Sequence, residues 1–133
     1  MKSLLVYHVD DDEDEIIFFN QIMTDLGHNS RSFTNGRDLL NCIDDGAQPD
    51  IIFVDIYMPK MTGLEVATLL RDFSSMAETP IIAVTGLPSE MISDSLIENG
   101  VNYILEKVPN FEQFKGVIAN VMQEQLGQKL YSE

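Results

Sequence analysis

Pro49-Asp50-Ile51-Ile52-Phe53-Val54-Asp55-Ile56-Tyr57-Met58-Pro59-Lys60-Met61-Thr62-Gly63-Leu64-Glu65-Val66 carries three signals in succession. Ile51 to Val54 is a β-branched and aromatic run bounded by Pro49-Asp50, the pattern of a strand buried on both faces. Asp55 ends that run, Pro59 falls in the loop after it, and Thr62-Gly63 opens a helical pattern. In open parallel α/β sheets ligands bind in the crevice beyond the carboxyl ends of strands, so an acid at that position is a candidate nucleophile rather than one more surface charge.

Working outward, four more strands are expected at Ser3 to Val9, Ser30 to Thr34, Ile81 to Thr85 and Asn102 to Glu106, the second being the weakest pattern. Amphipathic stretches lie between them. In Glu13 to Leu26 the residues Ile16, Phe19, Ile22, Met23 and Leu26 share a helix face, and Gly27 supplies the stop. Asn35-Gly36, Pro88-Ser89 and Pro109-Asn110 open the second, fourth and fifth helices, and Phe111, Phe114, Val117, Ile118, Val121 and Met122 form an apolar stripe on the last. Strands alternating with helices predict a parallel sheet covered on both faces, a doubly wound α/β fold. The pattern predicts one domain over residues 1–133, with a core of about residues 4–126 and a short C-terminal tail, residues 127–133.

A chain of 133 residues can bury a core without a disulfide or a metal staple. Cys42, the single cysteine, reads as a packed thiol on a helix face. The net charge of −14, from 22 acids against 8 bases, repels a phosphate backbone, so nucleic acid is not an expected partner. No stretch approaches the roughly 20 apolar residues of a membrane span, and the N-terminus lacks the cleavage site of a secretory signal. A soluble protein with protein partners is the expectation.

Polar residues recur at the predicted carboxyl ends: Asp10, Asp11 and Asp12 after the first strand, Asp55 after the third, Thr85 after the fourth and Lys107 after the fifth. Right-handed crossovers bring all these ends to one edge of the sheet, so residues up to 97 positions apart share a crevice. Clustered carboxylates raise one another's pKa unless a cation sits among them, and an all-oxygen donor set suits a hard ion such as Mg²⁺, with Mn²⁺ as the alternative. The histidines, His8 in the first strand and His28 in a turn, have no second soft ligand at metal spacing and read as structural. A carboxylate flanked by a metal, a hydroxyl and an ammonium can take a phosphoryl group, with Asp55 attacking phosphorus and Lys107 and Thr85 stabilising its oxygens.

The motifs Val9-Asp10-Asp11-Asp12, Pro49 to Val66, Thr79 to Gly86 and Glu98 to Lys107, in this order and spacing, resemble the receiver domain of two-component response regulators over Leu4 to about Leu126. The resemblance implies a flavodoxin-like fold with strand order 2-1-3-4-5. It further implies a stand-alone regulator that takes a phosphoryl group on Asp55 from a histidine kinase or a histidine phosphotransfer protein. Mg²⁺ would be bound by Asp11, Asp55 and the backbone carbonyl of Tyr57, while Asp10 holds a metal-bound water; Asp12 is a register-shifted alternative. Thr85 and Lys107 would contact phosphate oxygens. Output would be binding or relay to a downstream protein on the face spanning about Ser89 to Gln125.

The chain departs from the family at the fifth strand. Ile104 stands where an aromatic residue is usual, Val108 separates Lys107 from Pro109, and aligning Tyr103 instead puts Glu106 in the lysine position. Tyr57 and Leu87 occupy positions that tune phosphoryl lifetime in the family. Two rival readings are a phosphorylation-independent adaptor and a small phosphohydrolase resembling the haloacid dehalogenase superfamily, with Asp10 as nucleophile and Asp12 as general acid. A calcium loop on Asp10, Asp12 and Asp14 fails because Glu15 and Gln21 stand where it needs glycine and glutamate.

Overall fold

Ile51, Ile52, Phe53 and Val54 alternate between two apolar layers, and this strand is buried along its whole length. In the computed structural model, which describes residues 2–86 and 90–131, it is β3 (Ile51–Asp55), the centre of a five-stranded sheet. The other strands are β1 (Leu5–Val9), β2 (Asn29–Phe33), β4 (Ile81–Thr85) and β5 (Tyr103–Glu106). They alternate with α1 (Glu13–Leu26), α2 (Gly36–Asp44), α3 (Gly63–Arg71), α4 (Glu90–Glu98) and α5 (Phe111–Tyr131). All pairings are parallel and the order is β2-β1-β3-β4-β5. The fold is the expected flavodoxin-like α/β sandwich.

Strand periodicity splits the core in two. Val6, Ile51, Phe53, Ile82, Val84 and Leu105 pack with Phe19, Ile22 and Met23 of α1 and Phe114, Ile118 and Val121 of α5. Tyr7, Val9, Ile52, Val54, Ile81 and Ala83 pack against Leu39, Leu40 and Ile43 of α2, Val66, Ala67 and Leu70 of α3, and Leu96 of α4.

Local chemistry sets the element ends. Asp12 caps α1 by accepting from the backbone N–H of Asp14 and Glu15, and Glu13, Asp14 and Glu15 in the first turn complement the helix dipole. Gly27 ends that helix at φ 82, a left-handed conformation that favours glycine. Thr62 and Glu65 form a reciprocal capping box on α3.

Some element boundaries differ from the sequence reading: β1 starts at Leu5 rather than Ser3 and β5 at Tyr103 rather than Asn102. The edge strand β2 lies one residue earlier than Ser30 to Thr34, because pairing with β1 runs from Leu5 opposite Asn29 to Val9 opposite Phe33; its polar composition left no pattern to mark this. The Pro88-Ser89 helix opening, with Leu87, lies outside the described residues. At the C-terminus the helix does not stop near Leu126 but runs to Tyr131 through a non-helical Leu126 at φ −132 and ψ 18. Leu126 and Leu130 continue the four-residue step from Met122 and are buried. Lys129 Nζ lies 2.6 Å from Asp50 Oδ1, and the Lys2 backbone N–H donates to the Leu130 carbonyl at 2.6 Å.

On the edge of the sheet away from the strands' carboxyl ends, Arg71 joins α3 to the segments leading into β4 and β5. Its Nε and Nη2 donate to the Gly100 carbonyl at 3.0 and 2.8 Å, its Nη1 to the Met76 and Thr79 carbonyls at 2.6 and 2.9 Å, and its Nη2 to Asn102 Oδ1 at 2.8 Å. Asn102 Oδ1 also accepts from the Ile81 N–H. Lysine cannot reproduce this fork. Arg71→Met is expected to lower the free energy of unfolding by about 2–3 kcal/mol, because several carbonyls lose a charged donor at once; urea denaturation reads this as a lower midpoint at unchanged slope.

Candidate functional site

Asp55 is placed by its strand. It pairs with Val84 of β4, the next N–H, of Ile56, donates to the Val84 carbonyl at 3.1 Å, and the carboxylate leaves the sheet at its carboxyl edge with the residue 6% exposed. The loop after it returns sharply. Lys60 adopts φ 69 while the Met61 N–H donates to the Pro59 carbonyl at 2.7 Å, and the Gly63 N–H then closes on the Ile56 carbonyl at 2.9 Å. A left-handed lysine is strained, so the loop is held by its ends. Tyr57, two residues past Asp55, is 53% exposed.

The acidic run after β1 divides its work. Asp10 is buried, and its Oδ1 accepts from the Asp12 N–H at 3.0 Å. Asp11 is exposed, and one carboxylate oxygen from each of Asp10, Asp11 and Asp55 lies within 4.8 Å of the others. Asp12 is turned to the cap of α1, its Oδ1 receiving two backbone N–H groups. That engagement explains why the register-shifted pair does not assemble: the acidic group that converges is Asp10, Asp11 and Asp55.

Lys107 reaches across from the end of β5, where its backbone N–H donates to the Thr85 carbonyl at 2.8 Å. Its Nζ lies 3.3 Å from Asp10 Oδ2 and 3.6 Å from Asp55 Oδ1. Glu106, the competing position, is exposed and pairs with Thr85 in the sheet. Burial alone would lower the Lys107 pKa, but Asp10 and Asp55 outweigh it and hold the ammonium above its ordinary value. Asp55 is pushed the other way for a carboxylate, up to about 6, by burial first and then by Asp10, with Lys107 opposing and Asp11 adding. Thr85 is buried at the adjacent strand end, 2% exposed.

Three clustered carboxylates with one lysine beside two of them are under-neutralised, and hard oxygen donors in this number suit a divalent cation completed by water or phosphate oxygens. The family model of the response regulator receiver domain matches residues 6–119. The chain belongs to the response regulator receiver domain family. Receiver domains gain and lose a phosphoryl group on themselves and are not enzymes that turn over a separate substrate.

This receiver domain is 28% identical, over 113 residues, to the polar-differentiation response regulator DivK of Brucella anthropi, a match covering 83% of this chain and 89% of that one. The chemotaxis protein CheY4 of Vibrio cholerae superposes with a TM-score of 0.82 at 27% identity, over 90% of this chain and 99% of that one. The receiver domain of the Pseudomonas aeruginosa sensor histidine kinase PA1611 shares the fold alone, at a TM-score of 0.82 and 17% identity over 95% and 99% of the two chains. That protein's structure has a magnesium ion coordinated in its active-site cleft. Among the described residues of the present chain no helix is long and apolar enough to cross a membrane.

The sequence reading assigned His8 only a structural place. The structure brings it to the floor of the receiver site: buried, stacked on Phe19 at 4.0 Å between ring centroids, with Nε2 4.0 Å from Asp10 Oδ2. A signal was present in the sequence, since His8 is the polar exception in an otherwise apolar stretch of β1 two residues before Asp10. His28 serves the opposite edge, where its Nδ1 accepts from the Leu4 N–H at 3.1 Å.

Proposed function

We propose that Asp55 accepts a phosphoryl group from a phosphohistidine on a histidine kinase or histidine phosphotransfer protein, and that the chain acts as a cytoplasmic response regulator. The observation that carries this reading is the convergence of Asp10, Asp11 and Asp55 with Lys107 Nζ between two of them. An Asp55 oxygen forms the bond to phosphorus as the phosphorus–nitrogen bond to the donor imidazole breaks. The imidazole nitrogen leaves with the electron pair and is reprotonated by solvent. Asp10, Asp11, Asp55 and the Tyr57 carbonyl would hold Mg²⁺, with Asp10 acting through a bound water. When bound, the ion neutralises charge on the phosphoryl oxygens. Lys107 supplies a second positive charge at the same oxygens, and the Thr85 hydroxyl donates to one of them.

Because the Asp55 charge is exchanged for an acyl phosphate, contacts of Lys107 and Thr85 change with phosphorylation, and these differential contacts shift a two-state equilibrium. The face reporting it is that of α4, β5 and α5, about Ser89 to Gln125, of which Ser89 lies outside the described residues. Its output is binding, or phosphoryl relay, to another protein. Intact mass after incubation with acetyl phosphate and Mg²⁺ tests the reading. One hydroxylamine-labile phosphoryl adduct is expected, absent from Asp55→Asn and absent with chelator. No adduct, together with no metal-dependent thermal shift, would favour an adaptor that works without phosphorylation.

A further inference from the structure

The crevice at Asp55 is lined by carboxylates in a chain of net charge −14, so an anionic phosphodonor approaches it against the field of the whole molecule. Positive charge near the crevice is therefore informative, and most of the basic residues are already engaged. Of the eight, Lys107 lies beside Asp10 and Asp55, Arg71 holds backbone carbonyls, Lys115 pairs with Asp25 and Glu112, Lys129 pairs with Asp50, and the Arg31 guanidinium lies 4.9 Å from the Phe33 ring centre. Among the described residues, Lys2, Arg37 and Lys60 take part in no ion pair, and all three are exposed.

Lys2 stands at the opposite edge of the sheet, where its N–H meets the Leu130 carbonyl. Arg37 and Lys60 share one groove of about 500 Å³, lined by Asn35, Gly36, Arg37, Pro59, Lys60 and Met61. Both walls of this groove begin at site residues. The Phe33 carbonyl, at the end of β2, accepts from the Asp10 N–H at 3.0 Å, and the chain then runs directly to Arg37 in the first turn of α2. Lys60 belongs to the loop that starts at Asp55 and closes with the Gly63 N–H on the Ile56 carbonyl. The walls lie against each other because Gly36 has no side chain: a Cβ there would stand 2.9 Å from Met61 Sδ and 2.5 Å from Val66 Cγ2. Lys60 has φ 69, where glycine makes the same turn without strain, so what lysine adds at this position is its ammonium group.

We propose that Lys60 and Arg37 form an anion-receiving lip that draws the phosphate of the phosphodonor to the mouth of the crevice, from which it passes to Asp55, Lys107 and Thr85. The ligand class is a compact phosphate-bearing anion such as an acyl phosphate. This rests on the reading of Asp55 as phosphoacceptor. Neither lip residue takes part in bond making: an Asp55 oxygen forms the bond to phosphorus, the bond from phosphorus to the acyl-side oxygen breaks, and the carboxylate leaves with the electron pair. Lys60 and Arg37 act earlier, on the encounter, so their effect belongs to donor capture and is screened by salt.

The test is the second-order rate constant for Asp55 phosphorylation by acetyl phosphate in the full chain, at fixed Mg²⁺, in about 20 mM and about 500 mM KCl. Lys60→Gly keeps the turn while removing the charge, and Arg37→Gln keeps a polar side chain at the start of α2. The double variant is expected to lower the rate constant roughly three- to tenfold in low salt, and the difference should shrink below about twofold in high salt. The Mg²⁺ concentration giving half the rate should stay at its wild-type value. Lys60→Arg with Arg37→Lys, which preserves both charges, should behave as wild type, and so should Lys2→Gln, which removes a charge at the opposite edge. A double variant that matches wild type in low salt overturns the proposal, as does a loss of the same size in both salts or an equal loss in Lys2→Gln. If the wild type forms no Asp55-dependent adduct, the reading of the site falls and this inference with it; an adduct formed at a rate indifferent to Lys60 and Arg37 overturns this inference alone.

Discussion

Gly63→Ala is expected to cost about 3 kcal/mol of stability and to lower the melting temperature by roughly 10 °C, the larger part of the damage falling at Asp55. A Cβ on Gly63 would stand 2.5 Å from the Asp55 carbonyl oxygen and 2.7 Å from the Ile56 Cα. Both are backbone atoms at the end of β3, so no side chain can rotate away. Gly63 is absent from the left-handed glycines, Gly27, Gly46 and Gly100, so its need is steric and not conformational. Relief requires α3 to move off the strand or the strand end to shift, and the strand end carries Asp55, the proposed phosphoacceptor. Thermal melting together with acetyl phosphate labelling checks both parts. A melting temperature within about 2 °C of wild type, with normal labelling, would mean the β3 to α3 loop yields freely. Gly36→Ala is the internal contrast, since its Cβ would meet the Val66 and Met61 side chains, which can repack.

The second large effect runs in the opposite direction. In the absence of metal at pH 7.5, Asp55→Asn is expected to raise the melting temperature by roughly 3–10 °C. The folded protein holds the Asp55 proton to about pH 6, above the ordinary carboxylate value of 3.8, because burial and Asp10 disfavour the ionised form more than Lys107 favours it. Between those two pH values the unfolded chain has released a proton that the folded chain still binds. Stability from this group is therefore fully present below the lower value, falls as pH rises through the window, and is gone above about pH 6. The cost of the charge at neutral pH is on the order of 1–3 kcal/mol, and asparagine removes it. The gap between variant and wild type should close near pH 4 and should also close when Mg²⁺ is added, since metal stabilises only the protein with the carboxylate. Below about pH 6, metal must displace the Asp55 proton, so Mg²⁺ affinity should fall with decreasing pH. A lower melting temperature for Asp55→Asn at pH 7.5 would show instead that the Lys107 attraction dominates.

Residues 127–131 illustrate how packing extends an element beyond its pattern. The stripe on α5 is regular through Met122, and Leu126 and Leu130 continue it only if the helix tolerates Gly127 and the non-helical Leu126. What makes the continuation worthwhile is remote in sequence: Asp50, which accepts from the Leu5 N–H and meets Lys129, and the N-terminal Lys2 N–H on the Leu130 carbonyl. None of these contacts has a local signature.

The sequence by itself determined the α/β alternation, because four of the five strands carry short apolar runs, β2 being the polar exception, and the helices between them are amphipathic, ended by Gly or opened by a capping residue. It also determined the candidate site residues, since Asp10, Asp11, Asp55, Thr85 and Lys107 all fall at strand carboxyl ends, and right-handed crossovers leave one edge for them to share. Tertiary structure decided what depends on competition between neighbours. Asp12 is drawn to the α1 N–H groups while Asp10 and Asp11 converge on Asp55; Lys107 rather than Glu106 reaches the carboxylates; and His8 lies beneath Asp10, held from β2. In each case the residue type allowed two roles of similar local energy. Side-chain direction, burial and partners contributed by distant strands selected one, and those are properties of the assembled sheet.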